Sequence, residues 1–232
     1  MSRLLIDGDT VLIKSLFAVK DKFYGGLRAC NFTLENILSK FDYPEFVLGL
    51  GGYGNFRKEI SSEYKSNRDP SKLPKYLYEG KEYLKKYWGA RQADGMETDD
   101  LLAIEQEPDD ILVVQDKDYL QLGGKYFDYW KGTMFEVDNP AFYFYRQLLV
   151  GDRSDNIPGL TNPEKLHFAN PPNFTDPTAT KVLENKSPEE MRDTVQGLYQ
   201  QIYGEDWFGK YDVAARLLFL RRKNATEYFQ VF

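Results

Sequence analysis

Two short apolar runs, Leu4-Leu5-Ile6 and Ile111-Leu112-Val113-Val114, each lead within two residues to an aspartate, Asp7 and Asp116. Runs this short and this uniformly apolar predict strands buried on both faces, as in parallel sheets covered by helices. In such sheets ligands sit beyond the carboxyl ends of the strands. The reading is therefore an α/β fold, a mostly parallel central sheet with helices on both faces, whose ligand-binding edge carries carboxylates.

Other elements fit this frame. Phe46-Val47-Leu48 predicts another strand, followed by a loop containing Gly49, Gly51, Gly52 and Gly54. Apolar spacing predicts a helix over 33–41 with Thr33 as its N-cap, and a short helix over 98–105. Strands are expected over 126–129 and 135–137, around the Lys131-Gly132 turn. After Gly151 the chain becomes polar and loop-rich, with Pro163, Pro171 and Pro172 in an irregular connection. Helices are then expected over 177–184, 188–203 and 211–222. These changes divide the chain into an α/β core over 1–150 and a helical region over 151–232.

With 42% hydrophobic and 28% charged residues the chain is ordinary for a globular protein, which excludes disorder. There is no apolar run long enough to span a membrane and no signal-peptide pattern at the N-terminus, so a cytoplasmic protein is expected. Cys30 is the only cysteine, which excludes an internal disulfide. With His167 as the only histidine, a zinc hydrolase lacks its nitrogen and sulfur ligands. Neither a Ser-His-Asp triad nor a phosphate-cradling glycine loop is present.

The acidic residues fall into groupings: Asp7-Gly8-Asp9, Glu97-Thr98-Asp99-Asp100, Asp116-Lys117-Asp118, Asp152 and Asp155. Each alone reads equally well as a turn or a helix cap. Gathered in one fold they would repel one another, and divalent cations relieve that repulsion. Oxygen-only ligation favours Mg²⁺ or Mn²⁺. Two such ions about 3.5–4 Å apart can activate a water and stabilise the leaving oxygen of a phosphodiester. The net charge of −6 does not oppose a polyanionic substrate: without the eight carboxylates named below as ligands or their neighbour it becomes +2. Positive charge is also concentrated over 57–86.

Six stretches, in order, resemble the successive motifs of the 5′-nuclease family, which includes flap endonucleases, phage 5′-exonucleases and the 5′-nuclease domain of bacterial DNA polymerase I. They are Leu5-Ile6-Asp7-Gly8; Phe56-Arg57-Lys58-Glu59; Tyr64-Lys65-Ser66-Asn67-Arg68; Gly95-Met96-Glu97-Thr98-Asp99-Asp100; Asp116-Lys117-Asp118-Tyr119-Leu120-Gln121-Leu122; and Gly151-Asp152-Arg153-Ser154-Asp155-Asn156-Ile157-Pro158-Gly159. The resemblance, to the phage branch in particular, runs from residue 4 to about 185. It implies a tighter metal site at Asp7, Glu97, Asp99 and Asp116, a second at Asp118, Asp152 and Asp155, and Asp100 as an adjoining carboxylate. It implies two Mg²⁺ ions, with Mn²⁺ as substitute. It also implies that 57–88 form a helical arch or clamp, with Lys65 and Arg68 acting on the scissile phosphate beside Asp116. Arg57, Lys58, Tyr64, Lys65, Arg68, Thr178 and Lys181 are the implied DNA contacts. Tyr64 is open to two roles, stacking on a base or packing in the core.

The implied activity is hydrolysis of DNA at 5′ ends or 5′ flaps during phage or bacterial replication, including removal of RNA primers. DNA with a 5′ end or flap, an RNA–DNA hybrid and a functional link to a polymerase are the implied partners, with the chain as a monomer in the cytoplasm, the host's if phage-encoded. Two departures from the family pattern stand out. Residues 48–55 hold no carboxylate where the family has an aspartate, and Asp9 is open either to replacing it or to capping the following helix. Residues 160–174 interrupt the family's helix–three-turn–helix, whose second helix is matched by 175–183. Two alternatives accordingly stay open: a structure-specific DNA-binding protein with weakened catalysis, and an RNA-directed nuclease.

Overall fold

The structure is a computed structural model that describes residues 2–20, 22–160 and 174–232. Strand β1 (Leu4–Asp7) is followed by helices α1 (Gly8–Ala18) and α2 (Phe23–Ser39), then β2 (Phe46–Leu50), α3 (Arg57–Ile60) and α4 (Leu77–Trp88). Next come β3 (Arg91–Gln92), α5 (Thr98–Glu105), β4 (Ile111–Val113), β5 (Gly124–Asp128), β6 (Thr133–Val137) and α6 (Pro140–Val150). A hairpin of β7 (Gly151–Asp152) and β8 (Ile157–Pro158) precedes α7 (Asp176–Leu183), α8 (Pro188–Tyr203) and α9 (Trp207–Leu218).

The main sheet has the order β3-β2-β1-β4-β5-β6. All its pairings are parallel except β5 with β6. Its central strands β1, β2 and β4 are buried because side chains alternate between two covered faces, whereas the edge strands β3 and β6 are largely exposed. Leu4, Ile6, Leu48 and Val113 pack with Leu12, Leu34 and Leu84 of α1, α2 and α4, whereas Leu5, Val47 and Leu112 pack with Leu102 and Ala103 of α5. The strand order reverses direction between β1 and β4, the switch point where open α/β sheets leave a crevice. Asp7 and Asp116 lie at that crevice.

Local signals explain where several helices begin. Helix α5 starts at a reciprocal cap between Glu97 and Asp100. Ser187 and Glu190 form the same device for α8, with Pro188 in its first turn. The helix expected from Thr33 instead begins at Phe23, and the Thr33 hydroxyl donates to the Ala29 carbonyl within it. Gly25 and Gly26 disguise its start. A Cβ at Gly26 would lie 2.5 Å from a Leu16 side-chain atom, so α1 and α2 approach at a distance that only glycine permits.

The arch expected over 57–88 is also corrected. Only its first part borders the cavity, through Lys58, Lys65, Arg68, Pro70 and Leu73, and it is built of the four-residue α3, which packs on α9, of turns and of a single 3₁₀ turn at Pro70–Lys72. The remainder forms α4, whose Leu84 is fully buried and whose Gly80 lies against Leu12. Burial of this apolar face commits α4 to the core.

A further core joins α6 to α9, with Tyr64 and Ile157 built into it. The core change thus falls before α6 rather than after residue 150. Helices observed at Asp176–Leu183 and Pro188–Tyr203 agree closely with expectation, while α9 runs four residues earlier at each end than expected. His167 lies outside the described residues.

Arg57 locks this core to the sheet layer. It is 1% exposed and meets Asp100, which is fully buried, through two hydrogen bonds of 2.6 and 2.9 Å. Its remaining donors reach the carbonyls of Leu217 and Phe219, both at 2.8 Å. Asp100 also accepts the Arg221 N–H at 3.0 Å. Two expectations fail here for one reason: Arg57 is unavailable to DNA and Asp100 to a metal, because each satisfies the other in a bidentate buried pair. Substituting Asp100 by Asn should leave the buried Arg57 with only the longer 3.8 Å ion pair to Glu97 and cost about 3 kcal/mol. Thermal unfolding should show Tm lower by about 10 °C, equally in chelator and in Mg²⁺. A loss confined to Mg²⁺ would restore Asp100 to the ligand set.

Candidate functional site

At the crevice beyond β1, β2 and β4 lies a cavity of about 670 Å³. Asp7, Asp9, Glu97, Asp99 and Asp116 line it, together with Lys58, Lys65, Arg68 and Lys81. Asp7 caps α1: its carboxylate accepts the Thr10 N–H and the Thr10 hydroxyl, both at 2.9 Å. Glu97 and Asp99 are delivered by the start of α5, and Asp116 by the turn after β4.

A second acidic group adjoins the first. Asp118 follows from the same turn as Asp116, while Asp152 and Asp155 come from the β7–β8 hairpin. Asp152 accepts the Ser154 N–H at 2.7 Å and the Ser154 hydroxyl at 2.6 Å, which fixes the hairpin turn. The Tyr64 hydroxyl lies between the two groups, 2.6 Å from Glu97 and 2.8 Å from Asp155. Tyr64 is 2% exposed, which resolves its two open roles: it packs in the core and cannot stack on a base.

The motifs over 64–68 and 151–159, far apart in sequence, dock on each other. The Lys65 N–H donates to the Asp155 carbonyl at 2.9 Å, with Lys65 in the left-handed backbone region at φ 55°. Asn67 donates to the Arg153 carbonyl at 2.7 Å, and Asn156 donates to the Glu63 carbonyl at 2.8 Å. This clasp holds Lys65 and Arg68 over the carboxylates.

The electrostatics record crowding of negative charge. Burial, and then the charge on Asp9, push Asp7 up to about 6. Burial and the neighbouring Asp116 likewise push Asp118 up to about 6. Asp99 is raised well above the usual carboxylate range by burial and by Asp100. The protein's own cations relieve others. Burial alone would raise Glu97, but its ion pair with Lys65 and the bond from Tyr64 hold it below its ordinary value. Asp152 is held low against the same burial effect by Lys117 and Ser154. Arg68 reaches Asp155, and Lys81 lies 2.7 Å from Asp9.

As they stand, no three histidine, cysteine or acidic side chains among the described residues are arranged to hold a metal ion. The donors nevertheless fit divalent cations in chemistry and charge. They are oxygen-only, and Asp7, Asp99 and Asp118, each raised first by burial and then by a neighbouring carboxylate, stand close enough to other acids for a cation to relieve them.

Sequence reasoning left out several members of the site. Lys81, Lys117, Tyr119 and Gln147 contact or face its carboxylates: Gln147 bonds Asp118, and the Tyr119 hydroxyl lies 3.4 Å from Asp7. Lys117 and Tyr119 sat inside a recognised motif, whereas Gln147 carried no signal, being one polar residue on an apolar helix. Thr178 and Lys181 do not line this cavity. Lys181 is exposed on α7, Thr178 pairs with the Thr175 hydroxyl at 3.0 Å, and Asp176 is paired with Arg146 at 2.7 Å.

No family model matches the chain. It is 28% identical over 191 residues to a protein named 5′-3′ exonuclease from Buchnera aphidicola subsp. Schizaphis graminum, an alignment covering 68% of this chain and 64% of that protein. It is also 28% identical over 195 residues to DNA polymerase I of Streptococcus pneumoniae, covering 68% of this chain and 22% of the polymerase. The chain thus spans somewhat under two thirds of the exonuclease and about a fifth of the polymerase. Among solved structures it resembles the T5 D15 protein co-crystallised with metal ions, with TM-score 0.60 and 14% identity over 94% of this chain and 97% of that one. A complex of the bacteriophage T5 D15 flap endonuclease with DNA and metal ions aligns with TM-score 0.56 and 15% identity, over 94% and 99%. The fold of this chain is that of the T5 5′-exonuclease.

The raised carboxylates have a measurable consequence without cations. Asp7 and Asp118 bind protons more tightly folded than unfolded, so between about pH 4 and 6 the folded state carries the extra protons and stability falls as pH rises. Glu97 and Asp152, shifted downward, act only at lower pH. In chelator, Tm should be about 5 °C higher at pH 5.5 than at pH 7.5, and Mn²⁺ at pH 7.5 should remove the difference. A Tm that rises over this interval in chelator contradicts the crowding.

Proposed function

We propose that this protein is a divalent-cation-dependent 5′ nuclease that hydrolyses DNA phosphodiesters at 5′ ends or 5′ flaps. The observation that carries this reading is the gathering of two carboxylate groups at the switch point, beneath basic residues clasped in place, in the fold of the T5 5′-exonuclease. Asp7, Glu97, Asp99 and Asp116 would hold one Mg²⁺, and Asp118, Asp152 and Asp155 a second, with Mn²⁺ as a substitute. When bound, these ions supply a water of lowered pKa and offset charge on the phosphodiester.

The chain's own residues do the rest. Lys58, exposed at the cavity wall, and Arg68, half exposed, draw a strand's backbone toward the carboxylates. Lys65 is largely buried between Glu97 and Asp155; once those carboxylates are otherwise neutralised its ammonium is free to face the scissile phosphate. A positioned cation there stabilises charge that develops in the transition state. Arg68 adds a planar fork for phosphate oxygens. Tyr64 does not touch substrate: its hydroxyl stands between Glu97 and Asp155 and donates its one proton to either of them. Thr178 and Lys181, at the start and on the exposed side of α7, extend the surface toward the duplex.

The setting that follows is replication, on DNA with a 5′ flap or 5′ end or on an RNA–DNA hybrid, alongside a polymerase and in the cytoplasm. Among the described residues no helix is long and apolar enough to cross a membrane. The absence of any carboxylate from 48–55 favours one second reading, a structure-specific DNA-binding protein with weakened catalysis.

Cleavage of a 5′-labelled flap in Mg²⁺ or Mn²⁺ decides between them. Asp116→Asn should abolish the cleavage seen with wild type. Binding without cleavage at any Mn²⁺ concentration would select the second reading. Lys65→Ala should lower kcat by about 10²–10³-fold with little change in DNA affinity. Equal losses in both would reduce Lys65 to a simple binding residue.

A further inference from the structure

Strands β1 and β2 pair in parallel with Asp7 opposite Gly49, so the chain two residues beyond each brings Asp9 beside Gly51. A Cβ built on Gly51 would lie 2.8 Å from Asp9 Oδ2 and 3.2 Å from the Thr98 hydroxyl. The space into which a side chain at position 51 would project therefore holds the Asp9 carboxylate.

Asp9 is held there deliberately. Its Oδ2 accepts the Gly51 N–H at 2.7 Å and the Thr98 hydroxyl at 2.6 Å. It does not cap α1, because Asp7 performs that task. Its Oδ1 is buried and has no hydrogen-bond partner among the described residues, although Lys81 Nζ stands 2.7 Å away as an ion pair. Lys81 is itself anchored by the Gly51 carbonyl at 2.7 Å. One oxygen of Asp9 is thus fixed by the protein, and the other faces a cation in the cavity shared with Asp7, Glu97, Asp99 and Asp116.

We infer that Asp9 supplies, from β1 and α1, the cation-binding carboxylate that the loop after β2 lacks, and that Lys81 occupies its free oxygen until a divalent cation displaces it. The inference rests on the proposed function only in taking the cavity to bind divalent cations. A physical reason couples the two positions. A side chain at residue 51 would displace the Asp9 carboxylate from its present place, so glycine at 51 leaves that place to aspartate at 9.

The test is Mn²⁺ binding by the full chain without nucleic acid, measured by isothermal titration calorimetry, with circular dichroism and thermal unfolding as checks on folding. The variants are Asp7→Asn, Asp9→Asn, Lys81→Ala and the double variant Asp9→Gly/Gly51→Asp. Asp9→Asn should weaken the tighter site by about tenfold or more. Lys81→Ala should strengthen it, because a competing cation is removed. The double variant, which moves the carboxylate to position 51, should recover most of the affinity. Wild-type affinity in folded Asp9→Asn, beside a loss in Asp7→Asn, overturns the inference and leaves the metal site intact. A loss in Asp9→Asn that the folded double variant does not recover also overturns it, making Asp9 a brace for Gly51 and Thr98. Should Asp9→Asn not fold, the double variant and Lys81→Ala decide alone. No change in Asp7→Asn or Asp9→Asn sinks the metal-dependent reading itself.

Discussion

Mutual repulsion among carboxylates at one edge of one sheet is the constraint around which this molecule is arranged. A parallel sheet whose order reverses beside β1 must deliver Asp7 and Asp116 to the same crevice. The start of α5 and the β7–β8 hairpin add Glu97, Asp99, Asp152 and Asp155. Two unit charges at 4 Å in a medium of effective dielectric about 20 repel by about 4 kcal/mol. Burial raises Asp7, Asp99 and Asp118 first, and neighbouring carboxylates raise them further, so the fold sustains part of this repulsion. Lys65, Lys81, Lys117 and Arg68 relieve the remainder, each drawn onto a carboxylate of the cluster.

Such a cluster persists only because the rest of the structure holds it. Arg57 and Asp100 clamp α5 to the end of α9, so the element presenting Glu97 and Asp99 is anchored to the core of the helical region. Tyr64, rooted in that same core, ties Glu97 to Asp155. The helical region thus braces both acidic groups from one side. The same arrangement explains why lysines stand between the carboxylates. Cations that are tethered nearby neutralise part of the site's charge.

What the sequence revealed, and what it hid, follows from the range of the interactions. Short apolar runs ending in aspartate located β1, β4 and the carboxyl edge because burial on both faces leaves an unambiguous pattern. Apolar spacing over 98–105 marked α5, because a helix shows its buried face at short sequence range. The start of α2 was concealed because Gly25 and Gly26 serve helix–helix contact, against their local preference. Arg57 and Asp100 looked like site residues because a charge's type is visible in a sequence and its burial is not. Tyr64 was ambiguous for the same reason: two carboxylates, 33 and 91 residues away, settle its hydroxyl. Asp9 depended on strand register, which fixes its neighbour across β1 and β2 only in three dimensions.

The central claim is that these distant carboxylates form one place for divalent cations. Anomalous scattering from crystals of the full chain soaked in Mn²⁺ tests it most directly. The account predicts two peaks at the crevice, one contacted by Asp7 and Asp116 and the other by Asp118 and Asp152, with Lys65 and Lys117 withdrawn from their carboxylates. Peaks confined to scattered surface acids, or a cavity in which the lysines keep their places at saturating Mn²⁺, would contradict it.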